Sequence, residues 1–370
     1  MAHLELEHID KQFGRTQALQ NLSLEVQDQE FMVLLGPTGA GKTTTLRCVA
    51  GLEKLNGGTV KMNGRTINNI SPTERNVAFV FQNYALYPRK TVYQNIAFPL
   101  QARQLSKADI DRRINDVTKM LRINHLHDRL PAQLSGGEQQ RVALSRALVR
   151  QPNIFLMDEP LTNLDFKLRA QMRGELKRIQ QDLKATFFYV TNDQVEALSM
   201  GNRVAVLKEG VLQQVGPPQE VYEQPVNLFV AGFIGSVRMN FLDCVYDSNG
   251  RFLKAPDQAW QVVMKNGRHE AILANGNNDR LILGVRPEDI QFSPAAIGAD
   301  SAAIAGEIYV AEPLGDRIIY DVSVGTSIVK VKTPPTVRFQ PGELVQLNIN
   351  LERSHIFDRV QEHVIRKTHV

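Results

Sequence analysis

The sequence lacks several features that would place it in a special class of protein. Its two cysteines, Cys48 and Cys244, lie far apart and outside any C-x-x-C motif, a usage that suits a reducing cytoplasm and argues against a structural metal site. No run of about 18 apolar residues occurs, so we expect no transmembrane helix. The N-terminus has no basic segment followed by an apolar one, so we expect no signal peptide.

Strong charge of one sign is also missing. The formal net charge is +4, which permits contact with an anionic surface but does not require nucleic acid. With 43% hydrophobic and 22% charged residues, the composition is that of an ordinary soluble globular protein. The chain has 370 residues, more than one hydrophobic core usually serves, so we expect two domains.

The most informative stretch is the segment 36–43, Gly-Pro-Thr-Gly-Ala-Gly-Lys-Thr, which fits G-x-x-x-x-G-K-[ST]. Its glycines let backbone N–H groups curl around phosphate oxygens. Lys42 supplies a positive charge for the β- and γ-phosphates, and the Thr43 hydroxyl can ligate Mg²⁺. An apolar strand pattern at 31–35 precedes the segment and a helical pattern at 44–50 follows it, so the helix N-terminus points at the anion. This context disfavours a glycine-rich turn with a chance lysine, and predicts binding of a nucleoside triphosphate.

Polar residues follow three other apolar runs that are typical of buried strands. Gln82 ends one run, Asp158 and Glu159 end the second, and Asn192 lies just after the third. Strands that alternate with helices predict an α/β domain with a largely parallel sheet and its ligand chemistry at the carboxyl ends of the strands. Two adjacent acids suit metal positioning and a general base. A solvated acidic turn is disfavoured, because an apolar run delivers both residues.

Two further features leave alternatives open. Ser135 and the two glycines after it begin a predicted helix that runs to Arg150, and its N-terminus could receive a second anion or be a plain loop-to-helix junction. Phe13 lies in a predicted turn at 11–15, between two strand patterns. Its ring could stack on a nucleotide base or anchor a core, and the spacing does not decide between them.

The pattern changes after residue 235. Long helical patterns disappear, and short strand candidates are separated by Gly, Asn and Pro turns, which predicts a small β-barrel or sandwich. These candidates lie at 260–263, 317–322, 327–331 and 345–349.

Together these motifs resemble the ATP-binding subunits of ABC transporters, over the whole length of the chain. The segment 36–43 corresponds to Walker A, 134–140 to the LSGGQ-type signature and 154–159 to Walker B. Gln82 takes the Q-loop position, and residues 164–165 take the D-loop position.

The C-terminal part resembles the TOBE (OB-like) regulatory domain of bacterial importers, and the chain is most similar to the ATPases of maltose and glycerol-phosphate type carbohydrate importers. Its family-like motifs lie at 284–289, 312–315 and 355–358. The resemblance implies an ABC-type α/β P-loop NTPase at 1–235, with a helical subdomain at about 88–152. An all-β OB-like regulatory domain at 236–370 would follow it.

The resemblance also implies roles for the site residues. Glu159 would polarise the attacking water, and Gln82 would sense the metal and the water. Asp158 and Thr43, with Gln82, would be the metal-site residues for Mg²⁺. Phe13 takes the position at which this family stacks an aromatic ring on adenine. The residues expected to contact ATP are Phe13, Gly36, Pro37, Thr38, Gly39, Ala40, Gly41, Lys42, Thr43, Thr44, Ser135, Gly136, Gly137, Gln139 and Asp165.

The implied partners follow from the signature, which lies far from the Walker A motif of its own subunit. Two subunits would pair head-to-tail, with Ser135–Gly137 of each capping the ATP held by the other's Lys42. The pair would be a homodimer, or a heterodimer with a paralogous ATPase subunit. Two transmembrane permease subunits and a substrate-binding protein would complete the importer and hold the chain at the cytoplasmic face of the membrane. The segment 84–99 would form the groove that receives a coupling helix of the permease. In the alternative interpretation, its aromatic side chains form only the internal packing of a loop.

Two other functions compete with this one. A soluble ABC protein could act on nucleic acid through an OB-like tail, but such tails need basic grooves with exposed aromatics. The sequence after residue 236 has few aromatics and many acids, so we expect no nucleic-acid partner. A regulatory subunit that binds a transcription factor or a phosphotransferase component through its tail is compatible with the importer function.

One position departs from the family pattern. Asn192 stands where the family has its switch histidine, which reaches the γ-phosphate. Asparagine keeps a neutral amide donor, but it is shorter and cannot carry the charge of an imidazolium. We therefore expect ATP binding and dimer closure to survive while hydrolysis slows. The substitution fits a natural low-activity subunit with an intact paralogue, an engineered trap variant or a tolerated change.

Overall fold

The computed structural model describes residues 3–264, 268–275, 280–293 and 303–366. The chain divides into two compact units, Met1–Gln219 and Glu220–Val370. The boundary predicted at 235/236 lies later than this division. The difference arises because a helix that begins at Leu228 belongs to the second unit, where its Ala231 packs in a cluster with Ile282 and Phe357.

Within the described residues, the first unit contains ten strands and six complete α-helices. The strands are β1 (Leu4–Phe13), β2 (Thr16–Val26), β3 (Phe31–Leu35), β4 (Gly57–Met62), β5 (Arg65–Thr66), β6 (Val77–Val80), β7 (Ile154–Asp158), β8 (Thr186–Thr191), β9 (Arg203–Lys208) and β10 (Val211–Gly216). The helices are α1 (Lys42–Ala50), α2 (Val92–Gln101), α3 (Lys107–Met120), α4 (Gly136–Leu148), α5 (Phe166–Leu183) and α6 (Gln194–Met200).

A six-stranded sheet, in the order β10-β9-β3-β8-β7-β6, forms the centre of this unit. All its pairings are parallel except that of β10 with β9. Every residue of β3 is buried, as expected for a parallel strand that is covered on both faces. The predicted parallel sheet is therefore confirmed. A second, antiparallel sheet has the order β2-β1-β4-β5.

Several predicted element bounds shift by a few residues. Phe13 is the last residue of β1 and pairs with Thr16, so the turn is shorter than the predicted 11–15. Helix α5 begins at Phe166 because Asp165 caps it and accepts a hydrogen bond from the Leu168 N–H. Helices α2, α3 and α4 all lie within the range predicted for a helical subdomain, 88–152.

The second unit is built mainly of antiparallel strands in two five-stranded sheets, β13-β12-β11-β14-β20 and β15-β19-β16-β17-β18. Its strands are β11 (Asn240–Asp247), β12 (Phe252–Lys254), β13 (Gln261–Val263), β14 (Leu281–Val285), β15 (Ile290–Ser293), β16 (Ala303–Pro313), β17 (Ile318–Val324), β18 (Ser327–Thr333), β19 (Leu344–Ile349) and β20 (His355–Asp358). The remaining helices are α7 (Pro218–Glu223), which spans the division between the units, α8 (Leu228–Phe233) and α9 (Arg268–Asn275).

The two sheets share one hydrophobic cluster, which includes Trp260, Leu283 and Tyr320. This arrangement confirms the predicted all-β character of the C-terminal part. None of the helices in the described part of the chain has both the length and the hydropathy of a membrane span.

Candidate functional site

The segment 36–43 forms a loop between β3 and α1 whose backbone only glycine accommodates at two points. Gly41 has φ +104°, and a Cβ built on it would lie 2.5 Å from the Ala18 carbonyl oxygen. A Cβ on Gly36 would lie 2.4 Å from the Leu207 carbonyl oxygen. Gly41 is the N-cap of α1 and provides no side-chain acceptor, so the first N–H groups of the helix are available to an anion.

Lys42 places a positive charge inside this loop. Its side chain is only 4% exposed. Its Nζ donates to the Pro37 carbonyl oxygen at 3.0 Å and lies 3.3 Å from Glu159 Oε1. A buried ammonium group beside unsatisfied helix N–H groups suits a polyphosphate. The loop therefore fits the nucleotide that the motif predicts.

Thr43 and Asp158 meet across 115 residues of sequence, where the start of α1 faces the end of β7. The Thr43 hydroxyl donates to Asp158 Oδ1 at 2.9 Å. Burial raises the pKa of the Asp158 carboxyl, and the Thr43 hydrogen bond lowers it in part. The described residues hold no group of three or more His, Cys, Asp or Glu side chains that could bind a metal ion. One hydroxyl and one carboxylate suit Mg²⁺, which takes its other ligands from water and phosphate oxygens.

Glu159 follows Asp158 in a strained backbone conformation. Its φ is +43°, in the left-handed region that residues other than glycine rarely adopt and that is often found at functional sites. The Glu159 N–H donates to the Val190 carbonyl oxygen at 3.0 Å. Its carboxylate contacts Lys42 through Oε1 and accepts a hydrogen bond from the Thr162 hydroxyl at 3.4 Å through Oε2. The carboxylate is thus directed toward the phosphate loop.

Gln82 and Asn192 are both exposed. The Gln82 carbonyl oxygen accepts from Asn163 Nδ2 at 3.0 Å, which fixes the backbone. Within the described part of the chain, neither the Gln82 nor the Asn192 side-chain amide forms a hydrogen bond. Both amides are therefore free to meet a ligand.

The predicted signature forms a second cluster with the D-loop. Ser135 caps α4, and Glu138 reciprocates by accepting from the Ser135 N–H and hydroxyl. A Cβ on Gly137 would lie 2.4 Å from Leu168 Cδ2, so α5 packs against this turn. Gln139 Nε2 donates to the carbonyl oxygens of Pro131 and Leu134, and so orders the loop before the helix.

The structure thus brings the predicted site residues together in two groups. Lys42, Thr43, Asp158 and Glu159 are joined by direct contacts, and the signature packs with the D-loop. No hydrogen bond or ion pair among the described residues joins the signature to the phosphate loop. Sequence reasoning did not identify Glu138, although the Ser-x-x-Glu spacing of a capping box was a usable signal. It also missed Arg169, which donates to the Thr162 and Leu164 carbonyl oxygens and has no local sequence signal.

Phe13 lies outside the hydrophobic cores. The side chain is 44% exposed, and the Lys11 ammonium lies 4.4 Å from the centre of its ring. Lys11 is held by the Lys54 carbonyl oxygen at 2.8 Å and by Glu53 at 3.2 Å. The exposure argues against the core-anchor alternative and leaves the ring accessible for stacking.

Comparisons with known proteins identify the family of the chain. The family model described as ABC transporter matches residues 19–162, a TOBE domain model matches 283–357, and a MalK OB fold domain model matches 235–290. The sulfoquinovosyl glycerol transport ATP-binding protein SmoE of Agrobacterium fabrum is 42% identical over 99% of this chain and 100% of its own length. The chain belongs to the ATP-binding subunits of ABC transporters.

Other members of the family are similarly related. The trehalose/maltose import ATP-binding protein MalK of Thermococcus litoralis is 43% identical over 97% of this chain and 98% of its own. Among solved structures, the ATP-binding cassette MJ0796, a dimer bound to ADP and Pi, matches 58% of this chain and 98% of its own with 30% identity and a TM-score of 0.53. The chain is therefore an ABC-type ATPase with C-terminal OB and TOBE domains.

Proposed function

We propose that this chain hydrolyses ATP to power a bacterial importer of a carbohydrate or sugar phosphate. The observation that carries the proposal is similarity over almost the whole chain, including the OB and TOBE domains, to proteins named for sulfoquinovosyl glycerol transport and trehalose/maltose import. The experiment is reconstitution with its permeases in liposomes, with maltose and glycerol phosphate compared as substrates. Uptake of either substrate that requires ATP would support the proposal. Uptake of a non-carbohydrate substrate alone would overturn the carbohydrate class.

The residues of the first group would divide the chemistry as follows. Lys42 would exchange its contacts with Pro37 and Glu159 for phosphate oxygens. Glu159 would then be free to orient the attacking water and accept its proton at a carboxylate oxygen. Thr43 and Asp158, together with Gln82 in the role that the family resemblance implies, would hold Mg²⁺, which neutralises phosphate charge when it is bound.

The second group supports head-to-tail pairing of two such chains. Ser135 and Gly136 are exposed at the start of α4, and no hydrogen bond or ion pair among the described residues joins them to the phosphate loop of the same chain. In a twofold dimer, this helix N-terminus would face the ATP on the partner subunit. Asp165 would lie in the same interface, because its helix packs on Gly137. ATP would then bind the two subunits together, and hydrolysis would release them.

The segment 84–99 borders a cavity of about 750 Å³ that we propose as the permease docking groove. Asn95 orders the loop: its Nδ2 donates to the carbonyl oxygens of Tyr87, Lys90 and Thr91, and its Oδ1 accepts from the Tyr87 N–H. Arg146 of α4 donates to the Tyr84 and Ala85 carbonyl oxygens at 2.8 Å each. A preformed groove of this kind suits an amphipathic helix. The permeases would hold the chain at the cytoplasmic face of the membrane.

A charge in this groove should block assembly. Phe98 is 40% exposed and its ring lies 4.8 Å from that of Tyr87. We expect Phe98→Asp to weaken permease binding by at least about 30-fold, the equivalent of a hot-spot loss of about 2 kcal/mol. Co-purification with the permeases and basal ATPase of the isolated chain are the measurements. Phe98→Leu is the matched control and should keep assembly. Normal assembly of the Phe98→Asp variant would show that the permease docks on a surface other than this groove.

Removal of the exposed ring at position 13 should weaken nucleotide binding. Base stacking on an aromatic side chain contributes about 1–3 kcal/mol, so we expect Phe13→Ala to raise the Kd for ATP by about 5- to 150-fold. Titration with a fluorescent ATP analogue measures this change, and Phe13→Tyr should restore binding. An unchanged Kd for ATP in the alanine variant would show that Phe13 does not contribute to nucleotide binding.

A further inference from the structure

A buried carboxylate lies directly behind the switch position and has no role in the site described so far. Glu196 of α6 is 2% exposed. Its Oε2 accepts hydrogen bonds from the Tyr189 hydroxyl at 2.8 Å and from the Thr191 hydroxyl at 2.7 Å. Both donors belong to β8 and are buried. The three side chains thus link the start of α6 to the end of the strand that delivers Asn192.

This carboxylate is costly to keep. Burial raises the pKa of Glu196, whereas the hydrogen bonds from Thr191 and Tyr189 lower it. Asp193 adds repulsion and Arg169 a weaker attraction, and Arg169 forms its ion pair with Asp193 at 3.5 Å. No cationic side chain within the described residues forms an ion pair with Glu196. A buried acid of this kind lowers stability relative to an apolar residue, and ionisable groups with perturbed pKa values cluster at functional sites.

Thr191 connects this carboxylate to the catalytic residues. Its carbonyl oxygen accepts from the Gly36 N–H at 3.4 Å, at the start of the phosphate loop. Its hydroxyl, besides donating to Glu196, accepts from the Asp193 N–H at 3.0 Å. Asp193 Oδ1 in turn accepts from the N–H groups of Val195 and Glu196 at 2.7 and 3.1 Å. Hydrogen bonds therefore hold both neighbours of Asn192, Thr191 and Asp193, in place. Asn192 lies between them and is exposed.

We infer that Glu196 is a positioning residue for ATP hydrolysis, which acts by holding Thr191 and, through it, the switch residue Asn192 and the first glycine of the phosphate loop. The inference rests on the proposed role of Asn192 at the γ-phosphate. Among the described residues, Glu196 forms no hydrogen bond or ion pair with Lys42 or Phe13, so its loss should leave ATP affinity largely intact. The effect should fall on the rate of the chemical step, because small displacements of catalytic groups are costly in rate.

The test compares removal of the hydrogen bonds with their retention. We expect Glu196→Ala and Thr191→Val to lower kcat by about 10- to 100-fold with little change in KM for ATP or in ATP-dependent dimerisation. The matched variants Glu196→Gln and Thr191→Ser keep an acceptor and a hydroxyl, and should recover most of the rate. The double variant Glu196→Ala/Thr191→Val should be no slower than the slower single variant, because each single variant already removes the hydrogen bond between Thr191 and Glu196.

A merely structural role gives a different pattern. Ile114→Val, a core change in α3, serves as the stability control and should lower the Tm without changing kcat. If Glu196→Ala lowers the Tm but leaves kcat of the folded protein unchanged, or if the two single effects multiply, the inference is overturned. All variants are made in the wild-type chain and in the Asn192→His background, so that turnover is measurable. Absence of ATPase activity in both parent chains would instead refute the proposed function.

Discussion

Replacement of Glu159 by glutamine is expected to lower kcat for ATP by about 10²- to 10⁴-fold, the usual contribution of a general base, while ATP-dependent dimerisation persists. The amide keeps the shape of the carboxylate and can still accept a hydrogen bond from Lys42, but it cannot take a proton from water. The left-handed backbone at Glu159, tied to Val190 by its N–H, should hold the new side chain in the same place. Steady-state ATPase and size exclusion with ATP measure the two effects.

A matched control separates base chemistry from a general loss of charge. Glu175→Gln makes the same change on α5, at a residue that belongs to neither residue group of the site, and should leave kcat and dimerisation unchanged. Wild-type turnover in the Glu159→Gln variant would show that another residue is the general base. Loss of dimerisation together with turnover would show that the variant disturbs the fold rather than the chemistry.

The parts of this site that are local in sequence were predictable. The phosphate loop is one continuous segment, and its glycines, lysine and threonine are required by contacts that the segment makes with itself and its ligand. The strand that delivers Asp158 and Glu159 is marked by its apolar run. Because parallel strands present their carboxyl ends at one edge of a sheet, the meeting of Thr43 with Asp158 across 115 residues also follows from the predicted topology.

Contacts that depend on side-chain packing were not predictable. No pattern in the sequence indicates that Asn95 orders the loop before α2 through four hydrogen bonds. Likewise, nothing in the sequence distinguishes Glu196 from a solvent-exposed acid on a short helix. The structure, however, buries its carboxylate, which accepts hydrogen bonds from Tyr189 and Thr191. The helix α9 was missed because eight residues are too few to show a periodic pattern among short strands.

Replacement of Asn192 by histidine is expected to raise kcat by up to about 10²- to 10³-fold, the usual cost of losing one donor to transition-state charge. Asn192 is exposed just after β8, on a backbone that Thr191 and Asp193 hold in place. The longer imidazole therefore reaches farther from the same anchor and can carry a positive charge toward the phosphate. ATP-dependent dimerisation should be equal in the two chains, because Lys42 and the helix N-termini are unchanged.

Three chains decide what Asn192 does: the wild type, Asn192→His and Asn192→Ala. A histidine variant far faster than the wild type, with alanine no slower than asparagine, identifies Asn192 as a catalytic lesion and predicts an intact paralogous partner in a heterodimer. Equal rates for asparagine and histidine, with a slow alanine variant, contradict the expected slow hydrolysis. In that case the amide of Asn192 suffices as the donor, and the chain is a complete importer motor as a homodimer. The three chains differ only at position 192, and hydrogen bonds of Thr191 and Asp193 hold the backbone on either side of it. Differences in rate therefore reflect the hydrogen-bond donor at position 192 and not a change of fold.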